Sequence, residues 1–223
     1  MTEAIFWDND GVLVDTEHLY FEATRQVLSS VGIELTEADY RDLFLVRGSG
    51  AWHLVEARGI DLARIEALKL ARNALYAELL AEAPRLIPGV KDTLQALHGR
   101  FAMGIVTSSR RDHFEVIHRD TGVLKYFDFV ITADDCPRTK PRPDPYRLAI
   151  ERSGHPARAC LAVEDSERGL EAAICAGLRC LIIPSRLTSP QKFEGALAVL
   201  PSVVELPDFL RALRASNPQI LKS

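Results

Sequence analysis

Two carboxylates, Asp8 and Asp10, stand two residues apart and are followed by Gly11, where a short apolar run of the chain ends. Like charges this close repel, and a bound divalent cation relieves the repulsion. Alone, an Asp-x-Asp-Gly turn is as often a solvated surface turn as a metal site. Three further groups weigh against the bland reading. Thr107, Ser108 and Ser109 offer hydroxyls and backbone N–H groups suited to a phosphate. Lys140, flanked by Pro141 and Pro143, offers a fixed ammonium. Glu164 and Asp165 add a second acidic pair of hard oxygen ligands that suit Mg²⁺.

Each of these groups follows a segment with the character of a buried strand. The first is residues 4–7; the others are 101–106, 127–131, 160–163 and 178–183, with a weaker sixth at 202–206. Brief, continuous apolar runs closed by turn residues suit strands covered on both faces. Between them lie helical patterns: Val90, Leu94 and Leu97; Tyr146, Ala149 and Ile150; Leu170, Ala173 and Ile174, the last stopped by Gly177. The alternation predicts an α/β fold, a doubly wound parallel sheet with helices on both sides. In such a sheet ligands bind beyond the carboxyl ends of the strands, which is where all four groups fall.

Residues 16–84 break the alternation. They contain no convincing strand and read as helices over 19–31, 36–46 (capped by Thr36), 51–58 and 61–83. An insertion of this length is too long for a simple crossover. The expected organisation is a discontinuous α/β core of residues 1–15 and 85–223, with an all-helical cap of residues 16–84.

Composition narrows the partners. The chain has 223 residues, 47% of them apolar, which suits a folded globular protein. A net charge of −4 gives no general attraction to nucleic acid or an anionic membrane, so phosphate binding must be local. No apolar run approaches the ~20 residues of a membrane span, and the first residues carry no secretory pattern. Four cysteines without Cys-x-x-Cys spacing suit reduced thiols. A cytoplasmic monomer acting on a small molecule is the expectation.

The four groups together resemble the haloacid dehalogenase superfamily, in its branch of helical-cap phosphatases similar to β-phosphoglucomutase. The motifs are Asp8-Asn9-Asp10-Gly11-Val12-Leu13-Val14-Asp15-Thr16-Glu17, Thr107-Ser108, Lys140-Pro141-Arg142-Pro143-Asp144 and Glu164-Asp165-Ser166-Glu167-Arg168-Gly169. The resemblance covers nearly the whole chain and implies a Mg²⁺-dependent phosphatase of a small phosphorylated metabolite. By it Asp8 is the nucleophile, forming an aspartyl-phosphate, and Asp10 is the general acid and base. Thr107, Ser108 and Lys140 hold the phosphate. Mg²⁺ is held by the Asp8 carboxylate, the Asp10 backbone carbonyl and Asp165. Glu164 is either a weaker or water-mediated metal group or, preferably, the partner that orients Lys140. Dehalogenases of this fold lack the second aspartate, so Asp10 points to phosphoryl transfer.

The alternative is a phosphomutase. Tyr20 stands where such mutases carry a histidine, and Ala51 where they carry an arginine for the distal phosphate. Both departures favour hydrolysis. Tyr20 and Arg47 are the expected substrate contacts from the cap, although a solvated arginine explains Arg47 nearly as well. Trp52 reads as core, Thr16 as a helix cap or hinge, and either Arg110 or Arg111 as facing the site. A phosphorylatable receiver domain shares the residue types but places its aspartate on the third strand and lacks the insertion. A non-catalytic scaffold has nothing to support it, since every catalytic position is filled.

Overall fold

The structure, a computed structural model, describes residues 2–82 and 86–215. Six parallel strands form one sheet: β1 (Ala4–Trp7), β2 (Ala102–Val106), β3 (Phe129–Ile131), β4 (Cys160–Glu164), β5 (Arg179–Ile182) and β6 (Ala198–Val199). They lie in the order β3-β2-β1-β4-β5-β6, which puts β1 at the centre between β2 and β4. Strand order reverses on either side of β1, the place where an open α/β sheet leaves a crevice at its carboxyl edge.

Period-two alternation divides the apolar residues of β1 between two cores. Ile5 and Trp7 face a cluster that includes Leu94 and Leu97 of α5 (Val90–Leu97), Phe114 and Ile117 of α6 (Arg111–His118) and Leu210 of α9 (Leu206–Ala215). Ala4 and Phe6 face a cluster with Tyr146 and Ala149 of α7 (Asp144–Ser153) and Leu170 and Ala173 of α8 (Glu167–Cys175). Both faces are therefore covered, which is why β1 is apolar at every position rather than at alternate ones.

The region 202–206 is not a strand. Val203–Glu205 is a 3-10 turn, and the sixth strand is the two-residue segment just before it, Ala198–Val199, paired to Leu181 and Ile182. The Ser202 hydroxyl accepts from the Val204 N–H and starts the turn. Val203 and Leu206, three residues apart, then bury on one helical face.

Between β1 and α5 the described residues form helices α1 (Glu17–Ser29), α2 (Glu37–Tyr40), α3 (Trp52–Glu56) and α4 (Leu62–Glu82). Thr36 caps α2 reciprocally with Asp39, and α2 runs on into a π-helical segment, Arg41–Val46. The expected end of the long helix at Ala83, and the seam at Arg85, lie outside the described residues. These helices share a core of their own, including Leu28, Leu35, Tyr40, Val55 and Leu68. Leu187, from the segment after β5, is buried in that same cluster, while Tyr76 and Leu80 of α4 join the cluster on the sheet. The helical insertion thus packs against the carboxyl edge of the sheet from two sides.

Candidate active site

The end of β1 is a tight turn in which the Asn9 carbonyl accepts from the N–H groups of Val12, Leu13 and Val14. Gly11, at φ +86°, makes the turn possible, and a Cβ there would collide with the Asp165 carboxylate. Asp8 leaves the strand still anchored by its N–H to the Val163 carbonyl at 2.9 Å. The end of β4 therefore lies alongside the end of β1, and their acidic residues meet.

Asp8, Glu164 and Asp165 are all buried, with carboxylate oxygens within 4.8 Å of one another. Lys140 is buried against them. Its Nζ lies 2.7 Å from Asp8 Oδ1, 2.6 Å from Glu164 Oε1 and 2.7 Å from the Val106 carbonyl. The Tyr146 hydroxyl donates to the same Glu164 oxygen, and Glu164 Oε2 is left buried with no partner. Burial raises Asp8 to a pKa of about 8, the Glu164 charge adds to the rise, and Lys140 opposes it. Asp165 is pushed well above the carboxylate range by burial, then by Asp8 and Glu164. For Lys140 burial pulls the pKa down, but Asp8 and Glu164 outweigh it and the net shift is upward. One ammonium thus faces three carboxylates. A hard divalent cation fits this donor set, because it would neutralise the surplus negative charge.

Asp10 turns the other way. Its carboxylate accepts from the hydroxyls of Thr16, Ser109 (2.7 Å) and Thr107 (3.3 Å) and from the Asn9 amide (3.2 Å). Its side chain lies outside the three-carboxylate cluster. Thr107 is buried at the end of β2, where its hydroxyl accepts from the Ser109 N–H, while Ser108 is exposed beside it. Thr16, expected as a helix cap, makes no side-chain cap bond, because its hydroxyl is spent on Asp10.

These groups form the floor of a cavity of about 620 Å³ whose roof is the helical insertion. Asp8, Asp10, Thr107, Ser108, Lys140 and Asp165 line it from the sheet. Glu164 does not reach the cavity wall, being enclosed behind Lys140 and Tyr146. From the helices Tyr20 reaches the cavity as expected. Arg47 does not: it is exposed, pairs with Asp42 at 2.9 Å and points away. The roof carries Lys69 and, buried, Arg72, which lies 4.5 Å from the Tyr20 ring centroid and 5.6 Å from that of Trp52. Trp52 packs against the core of the insertion and also lines the cavity. Arg110 reaches the cavity rim, whereas Arg111 pairs with Asp135 at 2.6 Å.

Arg72 and Arg168 were not legible as site residues, and Ser109, read only among the phosphate hydroxyls, was not expected to hold Asp10. Ser109 follows Thr107 by two, the spacing of a hydroxyl turn, and that was the available signal. Glu17 lies in the first motif without an expected role. It faces the cavity, accepts from the Tyr40 hydroxyl, and is raised to about 7 by burial, with the Asp10 charge adding to the rise.

A family model described as haloacid dehalogenase-like hydrolase matches residues 2–177. Among curated relatives, Protein CbbY of Cereibacter sphaeroides is 31% identical over 220 residues, covering 92% of this chain and 94% of that protein. The fructose-1-phosphate phosphatase YqaB of Escherichia coli is 30% identical, covering 78% of this chain and 92% of that one. Among solved structures, a CbbY mutant from Rhodobacter sphaeroides in complex with xylulose-(1,5)bisphosphate superposes with a TM-score of 0.79. It is 29% identical, covering 92% of this chain and 96% of that one.

Proposed function

Because the chain belongs to the haloacid dehalogenase-like hydrolase family and is a hydrolase of its phosphatase kind, we propose that it is a Mg²⁺-dependent phosphatase of a small phosphorylated sugar. The reaction runs through an aspartyl-phosphate on Asp8. The observation that carries this reading is the meeting of Asp8, Asp165 and Lys140 with Thr107 at one end of a roofed cavity. A sugar phosphate is the substrate class of YqaB by its name, and xylulose-(1,5)bisphosphate is the molecule held in the CbbY structure. On this reading residues 1–15 and 85–223 are the catalytic core and residues 16–84 a cap that closes over the substrate.

An anion must attack an anion, and this chain's residues lower that barrier in stated ways. The Lys140 ammonium, beside Asp8 Oδ1, neutralises charge on the nucleophile and on the arriving phosphoryl group. Ser108, exposed at the cavity, presents a hydroxyl to position the phosphate, and Thr107 can join it by turning its hydroxyl from Asp10. Glu164 orients Lys140 rather than touching substrate, with Tyr146 holding it in place. Mg²⁺, held by the Asp8 carboxylate, the Asp10 carbonyl and Asp165, supplies Lewis-acid stabilisation of phosphoryl charge when bound. Asp10 protonates the leaving alkoxide and later takes a proton from the water that attacks the acyl-phosphate. Its hydroxyl partners Thr16, Thr107 and Ser109 fix its carboxyl group for both steps.

Hydrolysis is favoured over phosphomutase chemistry by Ala51, which is buried and presents no cation to a distal phosphate. The test is phosphate release from a panel of sugar phosphates with and without Mg²⁺, using the parent and Asp8→Asn. Metal-dependent release that Asp8→Asn abolishes, with a phosphorylated Asp8 trapped by rapid quench and mass spectrometry, supports the reading. Undiminished turnover by Asp8→Asn overturns it.

A further inference from the structure

The first turn of α8 sends one side chain away from the carboxylates toward the helical insertion. Arg168 donates from one guanidinium nitrogen to the Phe44 carbonyl at 3.0 Å and from the other to the Lys140 carbonyl. Phe44 belongs to the π-helical segment of the insertion; Lys140 is the residue whose ammonium meets Asp8. A single planar group thus grips both layers of the molecule. Room for it is made by Gly48, where a Cβ would lie 2.8 Å from Arg168 Nε, and that Nε is buried with no partner of its own. An ion pair also joins the insertion to the segment after β5, Arg186 to Glu37 at 2.9 Å, but it is solvent-exposed on the arginine side and holds little.

We propose that Arg168 is a positioning residue that couples the seating of the helical insertion over the cavity to the placement of Lys140. The proposal rests on the reading of residues 16–84 as a cap and of Lys140 as the catalytic cation. The guanidinium is rigid and forked, so the two carbonyls are held at one fixed separation. Departure of the insertion removes the Phe44 acceptor and frees the fork to turn. The Lys140 carbonyl then loses its donor, and the ammonium is no longer fixed against Asp8. Lysine at this position has a single point donor and meets one carbonyl at a time.

Tryptophan fluorescence provides a test that needs neither substrate nor metal. The chain has two tryptophans: Trp7 is fully buried, and Trp52 lines the cavity from the insertion. Acrylamide quenching therefore reads the seating of the insertion through Trp52. Arg168→Gln and Arg168→Ala are expected to raise the quenching slope in metal-free protein that still melts in one cooperative step, with Arg168→Lys between them and the parent. In turnover of p-nitrophenyl phosphate, Arg168→Gln is expected to lower kcat by about tenfold, the loss of a charge-assisted hydrogen bond. Arg168→Lys is expected to recover part of that loss. Quenching unchanged in Arg168→Gln overturns the proposal, as does Arg168→Lys matching the parent in both measurements. A parent without phosphate release would overturn the phosphatase reading and leave the quenching result to decide the clasp.

Discussion

The Asp165 carboxylate occupies the space into which a side chain on Gly11 would project. The turn after β1 and the turn after β4 are thereby fitted to each other at the point where their acidic groups must converge. At φ +86° the backbone of Gly11 is also in a region that side chains disfavour.

Gly11→Ala is accordingly expected to destabilise the protein by about 1 to 3 kcal/mol from the backbone alone, and to displace Asp165. Thermal melting measures the first effect, and Mg²⁺ titration by calorimetry the second. Affinity for Mg²⁺ equal to the parent's would show that the two turns are not fitted in this way.

Lys140→Met removes the only ammonium in contact with Asp8 among the described residues. It leaves the Asp8 and Glu164 carboxylates facing each other in a buried site. A fall in kcat of about 10² to 10³ is expected from the lost electrostatic stabilisation, together with a stability loss of about 3 kcal/mol. Stopped phosphate-release assays and urea melts read the two separately. Full activity in Lys140→Met would remove the lysine from the chemistry.

Divalent metal should stabilise the folded chain, because Asp8, Glu164 and Asp165 converge only when it is folded. At Mg²⁺ a hundredfold above its dissociation constant the gain is about 2.7 kcal/mol. Differential scanning calorimetry across a Mg²⁺ series should show the melting temperature climbing for the parent and much less for Asp165→Asn. A parent transition indifferent to Mg²⁺ would count against the metal site.

Glu17 gives a pH prediction of definite sign. Its carboxyl is raised from the ordinary 4.5 to about 7, chiefly by burial. Between those values the folded protein holds a proton that the unfolded chain releases, so the contribution of this group is complete below about pH 4.5 and is lost as pH rises through 7. The loss is on the order of 3 kcal/mol at most. In chelator, Glu17→Gln should melt above the parent at pH 8, and the two should converge toward pH 5. A gap that is the same at both pH values would contradict this account.

How much of this could be read from the residues alone follows from where each side chain is anchored. Asp8, Thr107 and Asp165 lie just beyond strand ends in a parallel sheet, and sheet geometry carries such residues to one edge whatever the loops do; Lys140 comes from the loop that follows β3. Arg47 and Trp52 lie in and after a connection between helices, where the direction of a side chain depends on contacts distant in sequence. Arg47, expected among the substrate contacts, turns out to Asp42, whereas Trp52 packs against the insertion's core as expected and reaches the cavity as well. Arg72 looks like one more charged residue on a long helix, and only the packing of α4 over the sheet edge makes it a roof residue. The 202–206 segment was ambiguous for a different reason. Three apolar residues in five serve a strand or a helical turn equally, and the Ser202 hydroxyl decided it.

Leu187 has a mechanical meaning beyond its burial. It projects from the chain after β5 like a peg into the greasy socket between the helices, and its neighbour Thr188 hydrogen-bonds Asp165 at 3.2 Å. Pulling the peg free would expose a leucine at a penalty of about 2 kcal/mol. A swivel about it keeps the socket filled. The cap movement proposed above would then be a tilt about this pivot, whose neighbour Thr188 bonds Asp165.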